Sequence, residues 1–310
     1  MLAIFLKTLP FFLVIGTGWL AGRTRFFPAE ATGWLTKFVF YFALSAMLFR
    51  FAATLDVASL FDPAFVLAYL CGSAALWALG FAVARWRRQP LVAAAMEAHT
   101  AMTGNTGFLG VPMLVVLLGE RAIGPVLMVL TIDMVVFSTL ITLIVTAARQ
   151  GRVRLSTLWP LLLGIVSNPM IVSMLAGLAW AGLHLPMPGP LDEFLALLGA
   201  SATPGALFAI GASLAGRGAA ERMGPAAWLS FAKLVLHPLA VGIAALAVFG
   251  VEPYAAGVMI AAAALPVAGN VYILAQYFGT AVQRVSAAIL ISTAASIATV
   301  PVVIHWITKG

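Results

Sequence analysis

Residues 103–112 read Thr-Gly-Asn-Thr-Gly-Phe-Leu-Gly-Val-Pro and lie in the middle of an otherwise apolar stretch. In a helix interior, glycine costs about 1 kcal/mol and proline about 3 kcal/mol relative to alanine. Pro112 also lacks an amide hydrogen, and its ring clashes with the carbonyl group four residues earlier. The sequence therefore predicts a helix that is interrupted near its centre.

A second stretch of the same character is found in the other half of the chain. Residues 264–270 read Ala-Leu-Pro-Val-Ala-Gly-Asn and again combine proline, glycine and asparagine inside an apolar run. In lipid, backbone groups freed by a break need partners, so a break belongs where it lines a polar cavity or is buried in protein. An ordinary kink is the alternative, but two matched breaks favour a transporter binding site.

The composition is that of a membrane protein. Of the 310 residues, 63% are hydrophobic and 9% are charged, whereas a soluble domain has about a quarter charged residues. The net charge of +7 does not indicate nucleic acid, because no basic cluster is combined with aromatic residues on a polar surface. Cys71 is the single cysteine, which excludes an internal disulfide and a cysteine metal site. We expect no metal and no cofactor.

Apolar stretches separated by charges or by Pro and Gly clusters predict ten membrane-spanning helices. The chain is thus expected to be an all-α membrane protein with five spans in each half. The predicted spans are residues 2–21, 35–52, 63–84, 91–118, 123–147, 158–183, 194–215, 223–249, 254–278 and 285–307.

Basic residues alternate between the two sides of the predicted bundle. One side has twelve of them: Arg23, Arg25, Lys37, Arg85, Arg87, Arg88, Arg149, Arg152, Arg154, Arg217, Arg222 and Arg284. The opposite side has four: Lys7, Arg50, Arg121 and Lys309. Because the more basic side faces the cytoplasm, we expect a multi-pass protein of the inner (plasma) membrane with both termini on the non-cytoplasmic side.

The two halves match at an offset of 159 or 160 residues. The matches are Pro10 and Gly18 with Pro169 and Gly177, residues 43–49 with 202–208, and Gly110 and Gly119 with Asn270 and Gly279. Chance matching of abundant residues is the alternative. A repeat of five spans enters the membrane upside down relative to its mate, so the pattern predicts two inverted repeats, residues 1–155 and 156–310, as in many secondary transporters.

The two predicted breaks supply the candidate binding residues. Their amide and hydroxyl side chains would donate hydrogen bonds, and the free backbone N–H groups at a helix start favour an anion. The prolines would hold the helices open. The candidates are Asn105, Thr106, Gly107, Pro112, Pro266, Gly269, Asn270 and Tyr272.

Ionisable residues inside predicted spans are candidates for ion coupling or charge pairing. Asp133 would carry a proton or counter a cation, or else hydrogen-bond a neighbouring helix while protonated. Lys233 would pair with an anionic substrate or with Asp133, or extend to the membrane surface. Glu97, His99 and His237 complete the set, and each histidine has the alternative of a simple packing role.

At these residues the chain resembles the auxin efflux carrier family, which includes plant PIN proteins and bacterial malonate and malate permeases. Asn105-Thr106 followed by Gly110-Val111-Pro112 resembles the family's broken fourth helix, and Ala264-Leu265-Pro266 its broken ninth helix. The resemblance extends over nearly the whole chain. Further similar elements are residues 35–41, Asn168-Pro169, residues 204–208, Lys233-Leu234 and His237-Pro238.

The resemblance implies a fold in which the fourth and ninth helices cross. It also implies a scaffold of helices 1, 2, 6 and 7, a moving core of helices 3–5 and 8–10, and a homodimer formed through the scaffold. One departure is visible, since Ala43-Leu44-Ser45 stands where the family usually has Ala-Leu-Pro. The absent proline puts a hinge in the second helix in question.

The expected function is that of a secondary transporter that moves a small organic anion by an elevator-type mechanism. The resemblance implies a carboxylate such as malonate, malate or an auxin-like acid, with proton or sodium coupling left open. A sodium-coupled symporter of the bile-acid-transporter type and a passive anion channel are the alternatives. An enzyme is not expected, because Met96-Glu97-Ala98-His99 lacks the first histidine of a His-Glu-x-x-His zinc motif.

Overall fold

The computed structural model describes residues 2–55, 62–150, 167–215 and 223–309, and these residues form helices with no strand among them. The boundary between the predicted repeats, the first nine residues of the sixth predicted span, and Arg152, Arg154, Arg217 and Arg222 lie outside the described residues. The helices are α1 Leu2–Arg23, α2 Ala29–Ala53, α3 Pro63–Trp86, α4 Leu91–Met102, α5 Thr106–Leu118, α6 Glu120–Ala148, α7 Pro169–Gly182, α8 Gly189–Ala215, α9 Met223–Val248, α10 Pro253–Ala263, α11 Gly269–Tyr277 and α12 Val282–Thr308.

Seven of the described helices are long and apolar enough to cross a membrane: α1, α2, α3, α6, α8, α9 and α12. They overlap seven of the predicted spans. The fourth and ninth predicted spans are each divided into two helices, α4 with α5 and α10 with α11. The two interruptions predicted from glycine and proline are therefore present.

Helices α3, α7 and α10 each begin with a proline, which fits the first helical position because its missing amide hydrogen is not needed there. Asp62 before α3 accepts a hydrogen bond from the Ala64 amide at 2.8 Å, and Asn168 before α7 accepts one from the Met170 amide at 3.0 Å. Glu252 caps α10 in the same way. These side chains satisfy amides that have no partner within the helix.

Helix α2 continues through the position where the family proline is absent. A π-helical turn, Val39–Ala43, is followed directly by regular helix from Leu44. The Ser45 hydroxyl donates a hydrogen bond to the Phe40 carbonyl at 3.1 Å, so it satisfies a backbone acceptor inside the helix. Serine thus leaves this helix unbroken.

Helices α1, α2, α7 and α8 pack tightly together and are called the four-helix bundle below. Helix α1 packs against α8, and a Cβ atom at Gly18 would collide with the carbonyl oxygen of Phe208. Helix α7 packs against α2, and a Cβ atom at Gly177 would collide with the carbonyl oxygen of Phe49. Backbones therefore touch directly at both contacts.

The other described helices pack around the two interruptions. Helix α3 contacts α4 and α9, α9 contacts α10 and α12, and α6 contacts α4 and α10. On the outside, large apolar side chains such as Trp34, Phe42, Leu239 and Ile243 are exposed. Such a surface suits a hydrocarbon environment, because lipid tails are as apolar as the side chains.

Candidate functional site

The two interruptions meet and pair with each other. Gly104 and Val267 form a single antiparallel bridge, in which the Asn105 amide donates to the Pro266 carbonyl at 2.8 Å. The Ala268 amide donates to the Thr103 carbonyl at 3.1 Å. Backbone groups that leave their own helices therefore satisfy one another, as a buried break requires.

Glycine at position 104 allows this close approach. A Cβ atom there would lie 3.2 Å from the Ala262 carbonyl oxygen and 3.2 Å from Nζ of Lys233. At Gly110, a Cβ atom would lie 2.6 Å from Cδ1 of Leu265, on the other interruption. Glycines in the first stretch thus leave the room that the second stretch occupies.

A cavity of about 1750 Å³ lies beside the crossing. From the two interrupted segments, its wall includes residues of 103–108 and of 268–274, but no described residue of α4 or α10. It therefore borders the first turns of α5 and α11, whose amides give partial positive charge. The rest of the wall comes from the four-helix bundle, the α1–α2 connection, Asn168 before α7, and α6.

Six of the candidate residues lie on the cavity wall: Asn105, Gly107, Asp133, Gly269, Asn270 and Tyr272. Two of them have buried oxygens without a hydrogen-bond partner among the described residues, Oδ1 of Asn270 and Oδ2 of Asp133. The other oxygen of Asp133 accepts a hydrogen bond from the Tyr69 hydroxyl at 2.9 Å. Polar atoms are therefore available on a largely apolar wall.

The other candidates are not among the residues that line the cavity: Glu97, His99, Thr106, Pro112, Lys233, His237 and Pro266. Thr106 begins α5, and its hydroxyl is buried without a partner in the described part of the chain. Pro112 is buried within α5, and Pro266 contributes its carbonyl to the crossing.

Lys233 lies next to Gly104 at the crossing but is not among the residues that line the cavity. Its fully buried ammonium donates a hydrogen bond to the carbonyl of Ala263, the last residue of α10, and lies 3.1 Å from Nδ1 of His237. Nε2 of His237 is 2.9 Å from the Ser73 hydroxyl. Among the described residues no ion pair joins Lys233 to Asp133. Nζ of Lys233 also lies at the end of α10, where a helix carries partial negative charge.

Glu97 lies in a buried ion cluster. Its carboxylate is 3.0 Å from Nη1 of Arg87 and 3.1 Å from Nε of Arg284, which also donates to Gln89 at 2.6 Å. The cluster joins the end of α3, helix α4 and the start of α12. His99, two residues further along α4, has its ring 3.3 Å from the Thr103 hydroxyl.

Sequence reasoning missed several polar contacts. Tyr69 and Ser73 were not identified, although their spacing of four residues puts both on one face of α3. Arg87 was interpreted only as a marker of orientation, yet it pairs with Glu97. Nothing in the local sequence of Arg87 or Arg284 indicates that both meet the same carboxylate.

Apolar helices of spanning length around a cavity with a few polar wall groups, and two interrupted helices that cross beside it, are typical of a membrane transporter. Residues 3–304 match the family model described as "Membrane transport protein", so the chain belongs to that family. It is 33% identical over 307 residues to a protein of Rhizobium meliloti (strain 1021) named "Putative malonate transporter", with 97% of this chain and 95% of that protein covered. The resemblance to the auxin efflux carrier family is thereby confirmed, and the protein is a transporter and not an enzyme.

Proposed function

We propose that the protein is a secondary transporter for a small organic anion, with a carboxylate such as malonate, malate or an auxin-like acid as substrate. The observation that carries this proposal is the cavity that borders the first turns of both α5 and α11. Two helix starts aimed at one space favour negative charge, because their free amides are donors. The name of the Rhizobium relative supports a dicarboxylate.

The carboxylate would bind between the two helix starts. The side-chain amides of Asn105 and Asn270 would donate to it from opposite sides, and backbone amides near Gly107 and Gly269 would add to the attraction. Tyr272 would form part of the wall. Thr106 has a smaller expected role than its neighbour, since it is not part of the wall.

The proposed architecture is ten spans in two inverted repeats, residues 1–155 and 156–310. Two contacts of the four-helix bundle support it. Adding 159 to Gly18 gives Gly177, and adding 159 to Phe49 gives Phe208. The contact of Gly18 with Phe208 thus becomes the contact of Gly177 with Phe49 when the halves are exchanged, as a two-fold relation between the repeats requires.

The proposed mechanism is an elevator. The four-helix bundle would stay fixed as the scaffold, and the other helices would carry the crossing and its bound anion past it. The cavity wall extends to Arg23, Arg25 and Lys37, on the predicted cytoplasmic side, so this conformation would be open inward. Both termini would then lie on the opposite side of the inner membrane. A homodimer formed through the bundle stays a prediction.

Lys233 supports proton coupling over sodium coupling. A sodium ion at the crossing would draw carbonyl oxygens from the ends of α4 and α10, and at the end of α10 the Ala263 carbonyl already accepts a hydrogen bond from Lys233. Asp133 is the one carboxylic acid among the wall residues that the structure describes, and its Oδ2 is unpaired. A proton on Asp133 would remove its repulsion of an anion and add a donor. The anion and one proton would then move together.

Uptake of radiolabelled malonate into proteoliposomes tests the proposal, with sodium and pH gradients varied independently. Saturable uptake that an inward proton gradient accelerates, and that sodium does not change, is the expected result. Acceleration by unlabelled malonate inside the vesicles would separate a carrier from a passive channel. Saturable uptake that depends on sodium would contradict the coupling proposal, and uptake that never saturates would contradict the carrier.

A further inference from the structure

Three exposed cations belong to the cavity wall, and their exposure identifies the part of the wall that we call the mouth of the cavity. Arg23 ends α1, Arg25 lies in the α1–α2 connection, and Lys37 lies in α2. All three are exposed, and none takes part in an ion pair among the described residues. The one carboxylate on the described wall, Asp133, is buried beside the crossing. The outer part of the cavity is therefore positive.

Positive charge around a cavity with apolar walls does more than mark orientation. Like charges on low-dielectric walls focus the field and raise the local concentration of oppositely charged solutes. The attraction is proportional to the charge of the solute, so a dicarboxylate gains twice what a monocarboxylate gains. A guanidinium also presents paired donors that match the two oxygens of a carboxylate. A solvated arginine on the open surface, with no cavity beside it, would not use this match.

We propose that Arg23, Arg25 and Lys37 form a second anion-binding site, a capture site at the cavity mouth that takes a dicarboxylate before it reaches the crossing. The identity of its ligand rests on the proposed function. The site makes the carrier select dianions over monoanions and gives a lower KM on the side of these three residues. Its recognition is by charge, whereas recognition at the crossing is by hydrogen bonds from Asn105 and Asn270.

Arg25 has a matched control in the same chain. Arg25 and Arg88 are both exposed, both have positive φ angles of 60° and 59°, and both belong to the predicted cytoplasmic side, but Arg88 is not on the cavity wall. Arg25→Gln should raise the KM for malonate about threefold with the maximal rate unchanged. Arg88→Gln should leave both unchanged. Equal KM values for the two variants in vesicles oriented with this side outward would overturn the proposal.

A combined variant of Arg23, Arg25 and Lys37 to Gln should raise the KM about tenfold at low salt. The difference from wild type should disappear near 1 M salt, where screening acts over about 3 Å. The KM for a transported monocarboxylate should rise by about the square root of that factor, because it has half the charge. An equal rise for both charges would overturn selection by charge.

A thiol reporter tests the site without reference to the substrate. Cys71→Ala removes the single cysteine, and Ser213→Cys then puts a thiol on the cavity wall. The ratio of its reaction rates with an anionic and a cationic methanethiosulfonate should fall about tenfold when the three cations are replaced by Gln, and should not change in Arg88→Gln. That fall without any malonate uptake would refute the proposed substrate and retain the capture site. An unchanged ratio would overturn the capture site.

Discussion

The crossing and the four-helix bundle both bring backbones into direct contact, but by different means. In the bundle, Gly18 and Gly177 let a carbonyl oxygen of the facing helix touch the helix backbone. In the crossing, the backbone leaves the helix altogether and pairs with the other interruption, through Asn105 with Pro266 and Ala268 with Thr103. The glycine contacts of the bundle fill space and hold helices together. The paired interruptions of the crossing instead leave the starts of two helices facing a cavity.

The ion pairs of the two regions also differ, in this case in their exposure to solvent. Arg50 and Asp192 join α2 to α8 within the bundle, and their side chains are 37% and 40% exposed. Glu97 joins Arg87 to Arg284 among the helices around the crossing, and its side chain is 1% exposed. Electrostatics should therefore matter little to the stability of the bundle and much to that of the helices around the crossing.

The largest effect is expected from Glu97→Gln. The change removes the buried charge that compensates Arg87 and Arg284 and should lower the free energy of unfolding by about 3–5 kcal/mol. Unfolding of the purified protein in detergent measures it. A loss below about 1 kcal/mol would show that the buried cluster is no stronger than a surface pair, and the contrast between the regions would fail.

Asn105→Ala should come second and should separate binding from stability. Loss of a hydrogen bond to a charged substrate should lower the transport efficiency about 10- to 100-fold, measured as malonate uptake at low concentration. The unfolding midpoint should stay close to that of wild type, because the Asn105 backbone amide still pairs with Pro266. Asn270→Ala should behave alike. Normal uptake by the Asn105 variant would remove the proposed site.

Gly18→Ala should impair stability and not binding. It should lower the free energy of unfolding by about 1–3 kcal/mol. The added methyl group would collide with the carbonyl oxygen of Phe208, whereas nothing lies within 4 Å of a Cβ atom at Gly16. Gly16→Ala in the same helix is therefore the control and should be neutral or stabilising. Equal unfolding midpoints for the two variants would contradict the close contact in the bundle.

The smallest effect is expected from Asp192→Asn. Its partner Arg50 stays solvated when the charge is lost, so the free energy of unfolding should change by no more than about 1 kcal/mol. High salt should change the free energy of unfolding of the wild-type protein by a similarly small amount. A loss as large as that of Glu97→Gln would remove the distinction between an exposed and a buried ion pair.

The sequence predicts those features that depend on local backbone chemistry. Glycine and proline cost helical stability wherever they stand, so both interruptions could be found, and with them the wall positions of Asn105 and Asn270. The direction in which a side chain points at a helix start does not follow from local backbone chemistry alone. Thr106 is adjacent to Asn105, yet it is off the wall.

Contacts between distant helices could not be predicted. The Ala263 carbonyl at the end of α10 accepts a hydrogen bond from Lys233, and a backbone carbonyl carries no side-chain signal in the sequence. Glu97 meets Arg284 only because α4 and α12 lie together. Periodicity identifies the helices, while these partners depend on how the helices pack.

Thermal unfolding with and without malonate tests the central claim most directly, namely that the anion binds at the crossing. A ligand that binds only the folded protein raises its stability in proportion to RT ln(1 + [L]/Kd). Malonate should raise the unfolding midpoint of wild type and of Gly16→Ala, and should leave Asn105→Ala unshifted at the same concentration. An equal rise in Asn105→Ala would contradict binding at the crossing.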